Sequence, residues 1–559
     1  DALFETVEFQ TRESTVARPA FGAGFGPTTL RAWWADPVRI GAIDGQLLVA
    51  ARRNSDAMTS STVDANSVSD RWADGLTVLS LHHGASDVQL VAVASGDRLA
   101  ADVDDATVGA ASDAGSVAGP DQALTVPWQS LTVGGVWTDL LSPSRKLVTR
   151  AWDATFAISA NPGVPNGDAR MYNSARDWGL ASELDVASLA MGASIEKIHT
   201  SYNVDVPSDG SSENGRPEGT ETDSMPPTPG TSQYHAMADP AVLSAYVERH
   251  WGSIAGNWFA TSGVHVTSLS AQAPYIEPRL SVSVGLGDGV SMTAGYAGTH
   301  QFVQALRDIS LTPAAIVPVS LPIAAGSAGV PVAAARTFMA TLSKQLGLHT
   351  RVTVDAYDRR FDGLVVTNAA GTPLASGNVF DVLKGRMLGF GSAAQSTIGN
   401  LSVHLTYSSQ RAILTQSSGS YFPSHEIAQM ASTAVAWRAR PTTTLRLVGS
   451  VGSSLLGTLS AADADGSGAS RREEDAVPEP RLLGSPAFIT GPIPGYMRVD
   501  VGLSHEWRAV GTGRFALTAT LANLFNRSNV VALRPSDART QHLYALTPRS
   551  LMLGIGWRQ

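Results

Sequence analysis

The stretch PRSLMLGIGW, residues 548–557, separates into two lists when alternate positions are read. Leu551, Leu553, Ile555 and Trp557 fall on one side; Ser550, Met552, Gly554 and Gly556 fall on the other. A period of two is the signature of an extended strand whose faces differ. The question is whether the large apolar face meets a protein interior or lipid.

The same period recurs along the chain. In YMRVDVGLSHEW, Met497, Val499, Val501 and Leu503 alternate with Arg498, Asp500, Gly502 and Ser504. In PRLSVSVGL, Leu280, Val282, Val284 and Leu286 alternate with Arg279, Ser281, Ser283 and Gly285. In RFALTATLANLF, Phe515, Leu517, Ala519 and Leu521 alternate with Arg514, Ala516, Thr518 and Thr520. Runs of roughly ten alternating residues are about twice the mean soluble strand and match what a tilted strand needs to cross a bilayer.

The 559 residues are 43% apolar and only 16% charged, against roughly 25% charged in an ordinary soluble domain. So little charge implies a very large core or a surface that does not all face water. No spanning helix is written in the sequence. The most apolar stretch, 311–335, is interrupted by Pro313, Pro318, Pro322 and Pro331, which no helix tolerates; it reads as a long ordered loop. With no cysteine, disulfides, thiolate metal sites and cysteine nucleophiles are excluded. A formal charge of −9 disfavours nucleic acid as a partner. DALFETVEFQ lacks the basic start and apolar run of a signal peptide, so the chain reads as cytosolic, as processed, or as beginning midway through a longer polypeptide.

Connections alternate between short, such as 287–289 and 508–513, and long and polar, at 99–121, 205–233, 301–332 and 457–493. Short turn, strand, long loop, strand is the rhythm of an outer-membrane barrel with tight periplasmic turns and long external loops. The alternation predicts strands near 17–23, 27–37, 43–54, 72–83, 86–98, 122–137, 146–158, 171–185, 187–203, 232–250 and 254–267. It predicts eleven more near 273–287, 289–300, 333–347, 349–365, 378–394, 399–411, 425–440, 442–456, 494–508, 513–525 and 546–558. The expected fold class is therefore all-β, a transmembrane antiparallel β-barrel of about 22 strands. On this reading the apolar face of 548–557 meets lipid and Trp557 sits at the interface, with Trp33, Trp34, Trp251 and Trp258 supplying some of the aromatic girdles. Arg279, Arg498, Asp500 and Arg514, on the polar faces, are expected to point into a polar lumen.

At these residues the chain resembles the barrel domain of TonB-dependent receptors, closest to the subgroup with carboxypeptidase-regulatory-like extensions. The resemblance rests on LSAYVERHW (243–251), IEPRLSVSVGLGDGVSMTAGYAGTHQF (276–302), NLFNR (523–527) and the terminal PRSLMLGIGW. VEFQTREST (7–15) looks like the last strand of a plug, and IDGQLLVAARR (43–53) like an early barrel strand. Residues 1–15 are thus expected to be the end of a plug domain and 16–559 the outer-membrane barrel. Gly554 and Trp557 fit the Gly-x-x-aromatic portion of the family's barrel assembly signal, although the chain ends on Gln559 rather than an aromatic residue.

The resemblance implies ligand-gated import of a siderophore, cobalamin or an oligosaccharide across the outer membrane of a Gram-negative cell. Its partners would be outer-membrane lipid, the barrel-assembly machinery, and TonB if an upstream plug exists. The rival is a plugless barrel that scaffolds or anchors a surface lipoprotein or other envelope protein. Lumenal charges could contact a plug or line a wet channel; in the receptor family they are expected to hold the plug more often than to bind cargo.

Candidate chemical sites fall to simpler readings. His82 and His83 are adjacent, point to opposite faces of a strand and cannot share a metal. HEIAQ (425–429) lacks the second histidine of HExxH. ADADGSG (462–468) resembles a calcium loop only faintly, lacking the third oxygen ligand at EF-hand spacing and the distal Glu. GAGFG (22–26) opens no helix, so it reads as close packing rather than a phosphate cradle. Glu473, Glu474 and Asp475 follow Arg471 and Arg472 in a long loop and read as solvated. No catalytic site, metal site or cofactor is expected.

Overall fold

A computed structural model describes residues 19–26, 29–54, 68–102, 123–160, 170–207, 231–253, 256–270, 272–306, 321–327, 329–367, 380–416, 419–421, 428–453, 455–457, 491–493, 495–508, 513–527, 529–534, 542–545 and 549–558. The expected plug strand at 1–15, ADADGSG, and the charged run at 471–475 lie outside these residues, as do the first three residues of HEIAQ. No helix occurs among the described residues.

Twenty-four segments join one antiparallel sheet. Thr231–Ala238 and Ala241–Ser253 both pair with Leu189–Pro207 and continue one strand. Gly419–Tyr421 is a short flap on Leu401–Gln416. The wall therefore has 22 strands. It closes because Ala20–Phe25 pairs with Thr29–Ile40 on one edge and with the terminal strand Ser550–Arg558 on the other. Closure leaves no unpaired edge strand, so the ladder can satisfy backbone groups along the wall without water.

The period-two pattern sets which face is which. Leu280, Val282, Val284 and Leu286 are all exposed on the outside, and Ser281, Ser283 and Arg279 lie on the other face of the same strand. The outer face carries an aromatic band near the short turns: Trp34, Trp137, Trp251, Trp258, Trp437, Trp507 and Phe515, with Trp557 stacked on Phe21 at 5.5 Å. Amphipathic rings are favoured at a membrane interface. Trp33 departs from the expectation. It precedes Trp34 and so takes the opposite face, and its ring lies over Gly22 across the ladder, where a Cβ would collide with it.

The wall is uneven in height. Strands beside the seam are short, 6 residues for Ala20–Phe25 and 9 each for Arg514–Ala522 and Ser550–Arg558. Farther round, Ala123–Ser142 has 20 and Leu189–Pro207 has 19. At about 3.3 Å per residue and a tilt near 45°, the tallest strands rise about 45 Å, beyond a hydrocarbon core of about 30 Å. The excess stands on the long-loop side.

The expected long loop at 301–332 is not wholly irregular. Val303–Leu306 pairs with Leu321–Ala324 as a small hairpin inside the barrel. Its Leu306, Leu321 and Ile323 pack with the wall residues Val126, Ile158, Met171 and Tyr202 in a buried cluster. A second cluster joins Ala324 and Ala325 to Ile198, Val242 and Leu269. The lumen is thus not polar throughout, as the alternation suggested. Beneath the hairpin its wall is apolar, because a protein segment rather than water covers it.

Candidate functional site: the lumen and its vestibule

The long-loop end of the barrel presents a cationic and aromatic surface built by the first four strands. Arg31 and Arg52 stand opposite each other on neighbouring strands, so their side chains share the lumenal face with Trp33. The Arg52 guanidinium lies 5.0 Å from the centre of the Trp72 ring, and its Nε donates to both Asp74 oxygens at 2.8 and 2.6 Å. Asn54 fixes the top of this wall by accepting the Trp72 N–H at 2.7 Å. Arg31 reaches across Gly24 toward Gly554, where a Cβ would crowd it. The glycines of GAGFG are therefore a close-packing device, in a strand that turns at Gly26, whose N–H donates to the Thr29 carbonyl at 2.7 Å. Cation–π geometry and fixed guanidinium groups suit an anionic ligand with aromatic or planar parts.

Lower in the lumen, charged groups pair with one another. His265 Nε2 lies 3.1 Å from Glu248 Oε1, and Arg279 Nη1 is 4.0 Å from the same oxygen. The His265 ring stacks on Tyr246 at 4.6 Å, whose own ring covers Gly192. The Arg279 Nε is buried with no hydrogen-bond acceptor among the described residues. Trp152 donates its indole N–H to Asp177 at 3.1 Å.

The structure places the predicted residues as follows. Arg279 lies on the face opposite Leu280 and Val282 and joins the Glu248 cluster. Arg498 and Asp500 form a charge-assisted pair with contacts of 2.8, 3.1 and 2.9 Å, and Asp500 also accepts the Asn523 N–H at 2.8 Å. Arg514 stands near the short-turn end, 3.6 Å from Glu506. They are not brought together into one site. Gly554 is at the seam, beneath Thr518, and Trp557 is on the outer face of that seam.

The NLFNR stretch is a latch. Asn523 has φ 50°; its Oδ1 accepts the Arg527 N–H at 3.0 Å and its amide donates to the Arg527 carbonyl at 2.9 Å. Arg527 then donates to the Gly495 carbonyl at 3.0 Å. Of the remaining candidates, His82 Nδ1 contacts Asp87 at 2.5 Å and His83 Nδ1 contacts the Ala42 carbonyl at 3.3 Å, each beside a short turn. No group of three or more His, Asp or Glu suited to a metal occurs among the described residues.

Sequence reading missed Arg31, Arg52, Trp72, Glu248 and His265. For Glu248 a signal was present: the alternation within LSAYVERHW puts it on the face opposite Val247, toward the lumen. The pairing of Arg52 with Trp72 had none, because it depends on cross-strand register, which alternation within each strand does not fix.

No protein-family model matches the sequence, and comparison with curated proteins gives no match. The fold has many solved counterparts. The siderophore receptor PiuA from Acinetobacter baumannii is 13% identical, with 97% of this chain and 81% of that chain aligned at a TM-score of 0.62. The pyoverdine outer membrane receptor FpvA from Pseudomonas aeruginosa is 11% identical over 97% and 78%, at 0.63. The FrpB iron transporter from Neisseria meningitidis is 11% identical over 96% and 81%, at 0.62. At these identities the likeness establishes the fold.

Proposed function

We propose that this chain is the barrel of an outer-membrane receptor that imports an iron–siderophore in a TonB-dependent way. The observation that carries the reading is the lumenal wall of Arg31, Trp33, Arg52 and Trp72 at the long-loop end of a closed barrel. Ferric chelates are commonly anionic and often aromatic, and guanidinium and indole groups recognise both properties. The named counterparts, receptors for siderophores or transporters of iron, support this cargo over cobalamin or an oligosaccharide, the other two classes the resemblance implies.

The remaining roles follow from that reading. Outer-membrane lipid surrounds the aromatic band. Gly554 and Trp557 act in recognition by the barrel-assembly machinery. Arg279 and Arg514 face the lumen and contact a plug, which in turn answers to TonB. The rival, a scaffold that holds other envelope proteins, predicts no uptake.

The test is uptake in a deletion strain complemented with the gene and supplied with iron-loaded catecholate, hydroxamate and mixed siderophores, cobalamin or labelled oligosaccharides. Uptake of at least one ferric chelate is expected, with a loss of tenfold or more for the double substitution Arg52→Ala and Trp72→Ala. Uptake of every compound unchanged by deletion would sink the import reading, and dependence on cobalamin or oligosaccharide alone would replace the cargo.

A further inference from the structure

On the outer wall, three arginines stand in register across three adjacent strands. Arg336 in Ala333–Leu346 faces Arg360 in Thr350–Thr367, and Arg360 faces Arg386 in Phe380–Ile398. Directly opposed like charges destabilise a sheet, and this row holds three. Only partial compensation is present. Arg386 is held by Asp358, with Nε–Oδ1 and Nη2–Oδ2 both at 2.9 Å. Arg360 reaches the same carboxylate only at 3.5 Å, and the Arg336 side chain makes no hydrogen bond or ion pair among the described residues. Lys384 is paired with Asp362 at 3.1 Å, and the exposed Arg411 lies on the same face, one row lower. The three arginines of the row and Lys384 thus surround two carboxylates.

Their height is informative. Arg336 lies ten residues above Leu346 at the short turn, about 33 Å along the strand and about 23 Å along the barrel axis at a 45° tilt. The lipid-facing band of such barrels is about 25 Å tall. The arginine row therefore sits where hydrocarbon gives way to headgroups. Directly below it the wall has a furrow. Ala294, Ala340 and Ala356 are in register on three strands, and Phe338, Leu388 and Phe390 rise beside them as exposed side chains. The alanine floor and flanking rings accept an acyl chain, and the guanidinium groups above it accept phosphate oxygens.

We infer that the outer faces of strands Val290–Gln301 to Leu401–Gln416 form a binding site for a membrane lipid with a phosphorylated headgroup, its acyl chain in the alanine furrow and its phosphate on Arg336 and Arg360. The site depends on the barrel reading but not on the import reading. Guanidinium pairs bidentately with phosphate, so an anion there would relieve the repulsion that the sheet otherwise carries.

The test uses the full chain purified in neutral detergent, with native mass spectrometry as the readout. The probes are micelles of a bisphosphorylated lipid A, the same lipid after dephosphorylation, and inorganic phosphate. The wild type is expected to retain the phosphorylated lipid at least tenfold better than the dephosphorylated one. The double substitution Arg336→Gln and Arg360→Gln should abolish that preference, while Arg176→Gln, on another outer strand where it pairs with Asp153 at 2.8 Å, should keep it. Ala340→Trp, which fills the furrow and leaves the arginines, should also weaken retention. Unchanged heat-modifiable migration in electrophoresis shows that each variant is folded. Equal retention of both lipids, or full displacement by inorganic phosphate, overturns the proposal. A chain that remains soluble without detergent overturns the barrel reading on which it rests.

Discussion

Gly179 illustrates how single residues shape the lumen. A Cβ at this position would strike the Trp152 ring, and that ring is fixed by its bond to Asp177. The same relation joins Gly22 to Trp33, Gly192 to Tyr246 and Gly389 to Tyr357. In each pair a large side chain lies across the ladder onto a neighbouring strand, and only a residue without a side chain leaves it room. Gly179→Ala should therefore force the indole from its site and cost about 1–3 kcal/mol, the range for overpacking. Gly96→Ala, with nothing within 4 Å of its Cβ, serves as the control. Urea unfolding of the refolded barrel in lipid vesicles, followed by tryptophan fluorescence, should show a lower midpoint for the first variant alone. These glycines are visible in the sequence, but their partners are not, since each pair depends on cross-strand register. Trp33 and Trp34 show the same limit: adjacency dictates opposite faces, but only register shows which of them lies over Gly22.

At the scale of elements, the strands are legible in the sequence and the segments between them are not. Each expected strand coincides with one wall strand within several residues, because lipid outside and polar groups inside impose one pattern on every strand. The inner hairpin is hidden for two reasons. Its strands have only four residues each, and the prolines of 311–335 erase any period. It is held by buried polar groups that composition does not reveal. Gln304 donates to the Pro331 and Gly363 carbonyls at 3.0 and 2.9 Å and accepts the Val365 N–H at 2.9 Å. Asn173, 0% exposed, donates to the Pro322 carbonyl at 2.9 Å, and Thr200 accepts the Ala324 N–H at 3.0 Å.

Gln304→Leu leaves those three backbone groups without that partner, at about 1–3 kcal/mol for each that stays dry. The expected result is a hairpin released from the wall, read as a larger single-channel conductance in planar bilayers than the wild type shows. An unchanged conductance would mean that the hairpin does not narrow the passage. The Asn523 latch is a second case at this scale. Asp500→Ala removes the carboxylate shared by Arg498 and the Asn523 N–H, and hydrogen bonds to charged groups are worth about 1.5–3 kcal/mol. The variant should unfold at lower urea than the wild type, whereas Asp500→Asn, which keeps an acceptor for Asn523, should lose less.

For the molecule as a whole, the decisive feature is closure between its first described strand and its last. Only six residues of Ala20–Phe25 bridge Thr29–Ile40 and Ser550–Arg558, so the seam rests on few ladder bonds compared with the long pairs elsewhere. Aromatic contacts reinforce it on the lipid side. Phe21 stacks on Trp557, and Phe515 stands opposite Trp557 on the other neighbour, with Trp507 6.5 Å beyond. An aromatic pair contributes about 0.5–1.5 kcal/mol beyond burial, which matters most where the ladder is shortest. Substituting Trp557→Ala removes a partner from both neighbouring strands, whereas Trp437→Ala removes an equally amphipathic ring from a strand away from the seam. If Trp557 only anchored the barrel at the interface, the two variants would behave alike. If it also secures the seam, Trp557→Ala should lose its folded electrophoretic form at a temperature several degrees lower than Trp437→Ala, and a strand-crossing disulfide between Ala23→Cys and Ile555→Cys, which face each other in the ladder, should restore it.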